Sequence, residues 1–162
     1  MVQTTRVKER QAAQAQRIKQ AQAFLVPDHI DVAILGGGAA GLCAAITAAE
    51  ALEANEHVVV FEKALESGRT ILATGGGRCN FTNANLSFEN FSNPEFVQAV
   101  CKDKDTFLAD ILSFFRSSGL AWATEDEDRM YPLTRQASSI QSLLLRRAQK
   151  AGVQFALGRE AT

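Results

Sequence analysis

Residues 30–62 hold an arrangement with few structural solutions. The apolar run IDVAIL is followed by Gly36-Gly37-Gly38-Ala39-Ala40-Gly41, then by a stretch of mostly Ala, Leu, Ile and Glu reaching Ala54, then by HVVVFEK. The first run is short, apolar and β-branched, and it stops at Gly36, which reads as a buried strand. The alanine-rich stretch reads as a helix that packs closely through small side chains, and Val58 to Phe61 as a second buried strand. Strand, glycine turn, helix and strand in that order form a βαβ unit, whose crossover requires parallel strands. The fold class is therefore α/β with a parallel sheet.

The glycines sit where such a unit binds phosphate. Gly36 makes the tight turn, Gly38 lets backbone approach a pyrophosphate, and Gly41 permits close helix–strand contact. The helix N-terminus, at Ala39 and Ala40, adds free N–H groups and a partial positive charge. Glu62 closes the second strand 21 residues after Gly41, where a carboxylate can accept from ribose hydroxyls. The pattern points to a bound dinucleotide. The acid disfavours NADP, whose 2′-phosphate it would repel, and leaves NAD and FAD open.

Bulk properties exclude other classes. The 162 residues suffice for one domain with a real core, and a net charge of -1 gives no field for nucleic acid or an anionic membrane. No apolar run nears the roughly 20 residues that cross a bilayer. Cys43, Cys79 and Cys101 are odd in number and widely spaced, which argues against a disulfide framework or a thiolate metal site and for a reducing, cytoplasmic setting. His29 and His57 read as fillers beside strands, which leaves no basis for hydrolase chemistry. The acids Glu125 to Asp128 read as a solvated turn rather than a cation site.

Around this unit the chain changes character. Residues 1–29 form a Gln/Ala-rich extension. Within residues 1–26 Arg6, Lys8, Arg10, Arg17 and Lys19 face one acid, Glu9, so this part carries +4 and the remainder -5. It reads as a solvated helix or frayed segment. From about 84 to 135 the pattern is a helical and hairpin excursion: Asn93-Pro94 starts a helix, Lys102–Asp105 separates it from the next, and WATEDEDRMYP reads as strand, acidic turn and strand. Ser138 and Gln141 fit a capping box before an apolar-striped helix that Gly152 stops, and Val153 to Leu157 is a third sheet strand. A sheet of three strands looks unfinished, so the chain reads as the first, truncated part of a longer protein.

The segment TGGGRCNFTN, Thr74 to Asn83, is a glycine run of the kind that a soluble domain keeps only where backbone must bend or approach something closely. Arg78 reads equally as a charge stabiliser for a reduced ring or substrate carboxylate and as a clamp on loop carbonyls. Asn80 reads as a hydrogen-bond partner for a ring or a brace for the loop. Cys79 lacks a partner cysteine and reads as a small packing residue.

Taken together, VAILGGGAAGLCAAITAAE, VVVFEK, SGRTILATGGGRCNFTN and RMYPLTRQASSIQSLLLRRAQKAGVQF resemble the YhiN/BaiN-like group of FAD-dependent oxidoreductases, also called the aminoacetone oxidase family. The resemblance runs from about Asp31 to Thr162. It implies a Rossmann-type FAD-binding domain in a considerably longer flavoprotein, with residues 30–162 as that domain's N-terminal part. By position it implies that Gly36 to Gly41 hold the FAD pyrophosphate, that Glu62 with the neighbouring Lys63 holds the ribose, and that Gly68 and Arg69 lie against the diphosphate. Thr74, Gly75, Gly76, Gly77, Arg78, Cys79 and Asn80 would flank the flavin end, and the backbone of Ala161 the adenine. Thr70 stands where the family commonly has lysine. The implied activity is flavin-dependent oxidation–reduction of a small molecule, with NAD(P)H as a candidate electron donor. The alternatives are a catalytically silent nucleotide-binding remnant and an NAD-dependent dehydrogenase domain.

Overall fold

A computed structural model describes residues 2–53, 55–101 and 103–161, with the side chains of residues 2–6 and 20 outside the description. Ala54, Lys102 and Thr162, which the sequence reading placed at a helix end, a helix boundary and the chain end, also lie outside it. The chain divides into two compact units, residues 1–69 with 145–162, and residues 70–144.

The first unit is the βαβ unit expected from the sequence. Strand β1, Val32–Leu35, leads through the glycine turn into helix α2, Ala39–Ala51, and on to strand β2, Val58–Glu62. Val32 pairs with Val58 and Leu35 with Phe61, in parallel. Strand β6, Gln154–Leu157, joins the other edge of β2, also in parallel, so the order is β1-β2-β6. A central strand covered on both faces must be apolar throughout, and Val58, Val59 and Val60 are all buried. Leu42, Ala45 and Ile46 of α2 are completely buried, as are Ala148 and Ala156. The small residues of α2 are what permit that closeness. Glu50 at its far end pairs with Arg147 through two contacts of 2.7 Å, which hold the Glu50 carboxyl below its ordinary range.

Helix α1, Val2–Ala23, also belongs to this unit. The basic extension is thus helical, and it is anchored rather than merely solvated: Arg17 pairs with Glu66 at 3.0 Å, and Ala21 is buried.

The second unit holds helices α3, Pro94–Cys101, and α4, Lys104–Ser117, and an antiparallel sheet of β3, Thr82–Asn83, β4, Trp122–Thr124, and β5, Arg129–Pro132, in the order β3-β5-β4. The second unit therefore contains a small sheet of its own, whose first strand precedes the expected excursion and of which the sequence showed only the β4–β5 hairpin. Asp103 caps α4 by accepting from the backbone N–H groups of Asp105 and Thr106. Phe81 and Phe115 meet edge to face, with ring centroids 4.8 Å apart. Helix α5, Ala137–Lys150, begins before Ser138, so Ser138 lies in its first turn and the expected capping box is displaced. The Thr134 and Ser139 hydroxyls are instead paired at 2.7 Å.

Ile46 has no exposed surface. Ile46→Ala should lower stability by about 2–5 kcal/mol through lost transfer energy and a residual cavity, read as a lower midpoint in urea unfolding.

Candidate functional site

The turn after β1 leads straight into the α2 N-terminus. Gly36 has φ +98°, open to glycine and strained for other residues, and a side chain there would meet nothing within 4 Å. Gly38 caps α2 and has no side chain to offer, and among the described residues no side-chain acceptor meets the first N–H groups of the helix, at Ala39 and Ala40. A Cβ on Gly41 would collide with the carbonyl oxygen of Gly36, which accounts for the last glycine of the pattern.

Glu62 is placed at the tip of β2 as the spacing required. Its Oε2 accepts from the Gly37 N–H at 2.7 Å and its Oε1 from the Ala64 N–H at 2.8 Å. Each oxygen keeps a further lone pair, so the carboxylate can still receive ribose hydroxyls. The segment after β2 returns to the same turn: the Gly68 N–H donates to the Gly37 carbonyl at 2.6 Å, with Gly68 buried at φ +75°.

Gly37 is the residue that sequence reasoning passed over. It fills a variable position of the pattern, yet a Cβ there would collide with the Ser67 side chain and approach the Glu62 Cβ to 3.3 Å. The requirement comes from a residue 30 positions along the chain, so local pattern gives no signal of it.

The remaining candidates in this unit occupy its rim. Lys63 is exposed and lies 4.0 Å from Glu160. The N–H groups of Gly158 and Arg159 donate to the Ala64 and Glu62 carbonyls at 3.0 Å, latching the end of β6 to the end of β2 and leading to the exposed Ala161. Arg69 lines a cleft of about 440 Å³ with Arg10, Gln14, Arg17 and Glu66, so α1 contributes beside a candidate cofactor residue.

The triple-glycine loop belongs to the second unit. Gly75, Gly76 and Gly77 run consecutively at φ +54°, +63° and +85°, a left-handed course that explains why three glycines are needed. A Cβ on Gly75 would come within 2.7 Å of the Asn80 nitrogen. Arg78 is a clamp here: Nη1 donates to Glu125 at 2.9 Å, Nη2 to the Tyr131 hydroxyl at 3.3 Å, Nε to the Gly75 carbonyl at 3.4 Å, and the guanidinium lies 4.3 Å from the Tyr131 ring centre. Glu125 also receives Arg135 at 3.0 Å, so this acid is an ion-pair hub rather than part of a solvated turn. Cys79 is buried at φ +60°, and its N–H donates to the Thr74 carbonyl at 3.0 Å. Burial pushes its thiol above the ordinary range, against a smaller opposing effect of the Thr74 hydrogen bond. Asn80 is exposed at the end of the loop.

Residues 30–162 match the HI0933-like protein Rossmann domain. The chain belongs to the HI0933-like family. The HI0933-like chain is 37% identical over 115 residues to the 3-dehydro-bile acid delta(4,6)-reductase of Clostridium scindens, covering 70% of this chain and 27% of that protein. It is 29% identical to the ribosomal RNA dihydrouridine synthases of Escherichia coli, over 82% of this chain and 32% of the relative, and of Haemophilus influenzae, over 80% and 31%. The chain thus spans about a third or less of the curated relatives it matches. The crystal structure of Thermovibrio ammonificans THI4 aligns over 98% of this chain and 47% of its own, with a TM-score of 0.54 at 17% identity, which shows a shared fold. Helix α1 lies outside the family match.

Two outcomes test this geometry. Gly37→Ala should destabilise the HI0933-like chain, and Ser67→Gly in the same molecule should recover most of the loss, measured as a double-mutant cycle in chemical unfolding. The folded Cys79 thiol titrates above its unfolded value, so its contribution to stability is present at neutral pH and lost as pH rises through the raised folded value. Alkylation of Cys79 by iodoacetamide, read by peptide mass spectrometry, should be far slower in the native than in the unfolded chain at neutral pH.

Proposed function

We propose that this chain holds FAD and forms the cofactor-binding part of a flavin-dependent oxidoreductase. The observation that carries the reading is the combination of an α2 N-terminus without a side-chain cap and Glu62 fixed at the tip of β2. The first suits a pyrophosphate and the second a ribose, as adenine dinucleotides require. The resemblance carried by Thr74 to Asn80 favours FAD over NAD.

In this reading the N–H groups at Gly38, Ala39 and Ala40 bind the phosphates, and Gly41 keeps the helix close enough for them to reach. Glu62 orients the ribose while remaining held by the Gly37 and Ala64 N–H groups. Gly68 supports the turn through the Gly37 carbonyl, Arg69 adds charge on the diphosphate side, and the backbone at Ala161 faces the adenine. The resemblance assigns Thr74 to Asn80 to the flavin ring; within their own unit Arg78 fixes that loop and Asn80 offers an amide. Bound FAD supplies hydride transfer. NAD(P)H is the proposed electron donor, and the cytoplasm the proposed setting.

The relatives' names narrow the reaction class. A delta(4,6)-reductase and a dihydrouridine synthase are both named for adding hydrogen to a ring double bond. We therefore favour reduction of a carbon–carbon double bond in a small ring substrate. A base carried in RNA is the second reading, favoured by the two ribosomal RNA enzymes and by the basic residues of α1.

The purified chain should retain FAD and show its visible absorbance. Glu62→Ala should weaken FAD binding by ~1–3 kcal/mol, the cost of losing a charged hydrogen-bond partner, measured by flavin fluorescence titration. A chain that stays colourless after incubation with FAD, yet is thermally stabilised by NAD, would overturn the FAD reading.

A further inference from the structure

The second unit carries a cleft of which the cofactor reading uses only Asn80. It has a volume of about 340 Å³ and begins at Asn80, the last residue of the triple-glycine loop. That volume falls at the lower end of the ~300–1,000 Å³ usual for small-molecule sites. Its lining selects its occupant by three features.

First, no charged side chain among the described residues lines it. A charged ligand would lose hydration there without a counter-charge, a cost of several kcal/mol or more, so the occupant is uncharged. Second, Phe91 and Phe107 form an apolar wall, with ring centroids 6.4 Å apart and planes tilted by 49° rather than stacked on each other. Phe91 remains 37% exposed, which leaves ring surface for another flat group. Third, two amides are available at the polar edge. Asn83 is engaged, donating to the Glu127 carbonyl at 2.8 Å and accepting from the Asn85 N–H at 2.7 Å. The side-chain amides of Asn80 and Asn90 have no such partner among the described residues. An amide offers both a donor and an acceptor, and so fits a ring carbonyl or a ring amide edge.

We propose that this cleft receives the reducible ring of the substrate: a flat, uncharged ring bearing a carbonyl, laid against Phe91 and held at its polar edge by Asn90, with Asn80 as the cofactor loop's own contribution to the cleft. The proposal rests on the ring-reduction reading above. A pyrimidine nucleoside and an alicyclic enone share this chemistry.

The test titrates the isotope-labelled chain with uridine and, separately, with a 3-oxo-4-ene steroid, following side-chain amide signals by NMR. At least one probe should shift the Asn90 amide. Asn90→Leu and Phe91→Ala should each weaken that probe about five-fold or more, the effect of losing roughly one net hydrogen bond or ring contact. Which probe responds distinguishes the two ring sources. Three results would overturn the proposal: binding by neither probe, affinity unchanged in both variants, or displacement of the bound probe by riboflavin, which would give the cleft to the cofactor ring. FAD retention is measured on the same samples. Loss of FAD binding in the unsubstituted chain would sink the cofactor reading while the probe titration still decides the cleft.

Discussion

The Glu62 carboxylate holds together the part of the molecule on which everything else depends. One oxygen accepts from the glycine turn at Gly37 and the other from Ala64, just beyond its own strand. A parallel sheet leaves its strand ends with backbone donors that have no neighbour to satisfy them, and here a single side chain serves two of them. The same residue's carbonyl receives Arg159 from the end of β6. The groups proposed to meet a ribose are thus fixed before any ligand arrives, which lowers the ordering cost of binding.

Preorganisation in the second unit has a different source. Its loop follows a left-handed course for three residues and again at Cys79, a conformation that costs energy for a residue with a side chain. Arg78 compensates by tying the loop to Glu125 and Tyr131. The charge once read as a candidate for direct chemistry is largely committed to holding the loop's shape. The buried, protonated Cys79 fills space beneath it.

Legibility in the sequence followed the range of the interaction. Gly36, Gly41 and Glu62 were visible because their reasons lie within one βαβ unit and recur at fixed spacing. Helix α2 was visible through its alanine-rich composition after the glycine turn, α4 and α5 through apolar periodicity, and β6 as the run that follows the helix stop at Gly152. Gly37 was not, since its reason is Ser67, and neither were the partners of Arg78, which arrive from β5 and the turn before it. Strand β3, at two residues, carries no periodicity at all. The capping box at Ser138 matched as a pattern and missed as a position, because the helix starts before it. The anchoring of α1 depends on Glu66, which its own composition cannot announce.

The strand order β1-β2-β6 also has a kinetic meaning. Val32 finds Val58 across a short helix, but Val59 must wait for Gln154. Closing a loop of about 95 residues adds only a few kcal/mol of entropy cost, because that cost grows logarithmically with length. It nevertheless places the pairing late, since non-local contacts are made slowly. During synthesis the glycine turn and Glu62 leave the ribosome well before β6 exists. For that interval β2 displays an open edge that is apolar up to Glu62, the stage at which the nascent chain is most exposed to pairing with the wrong strand.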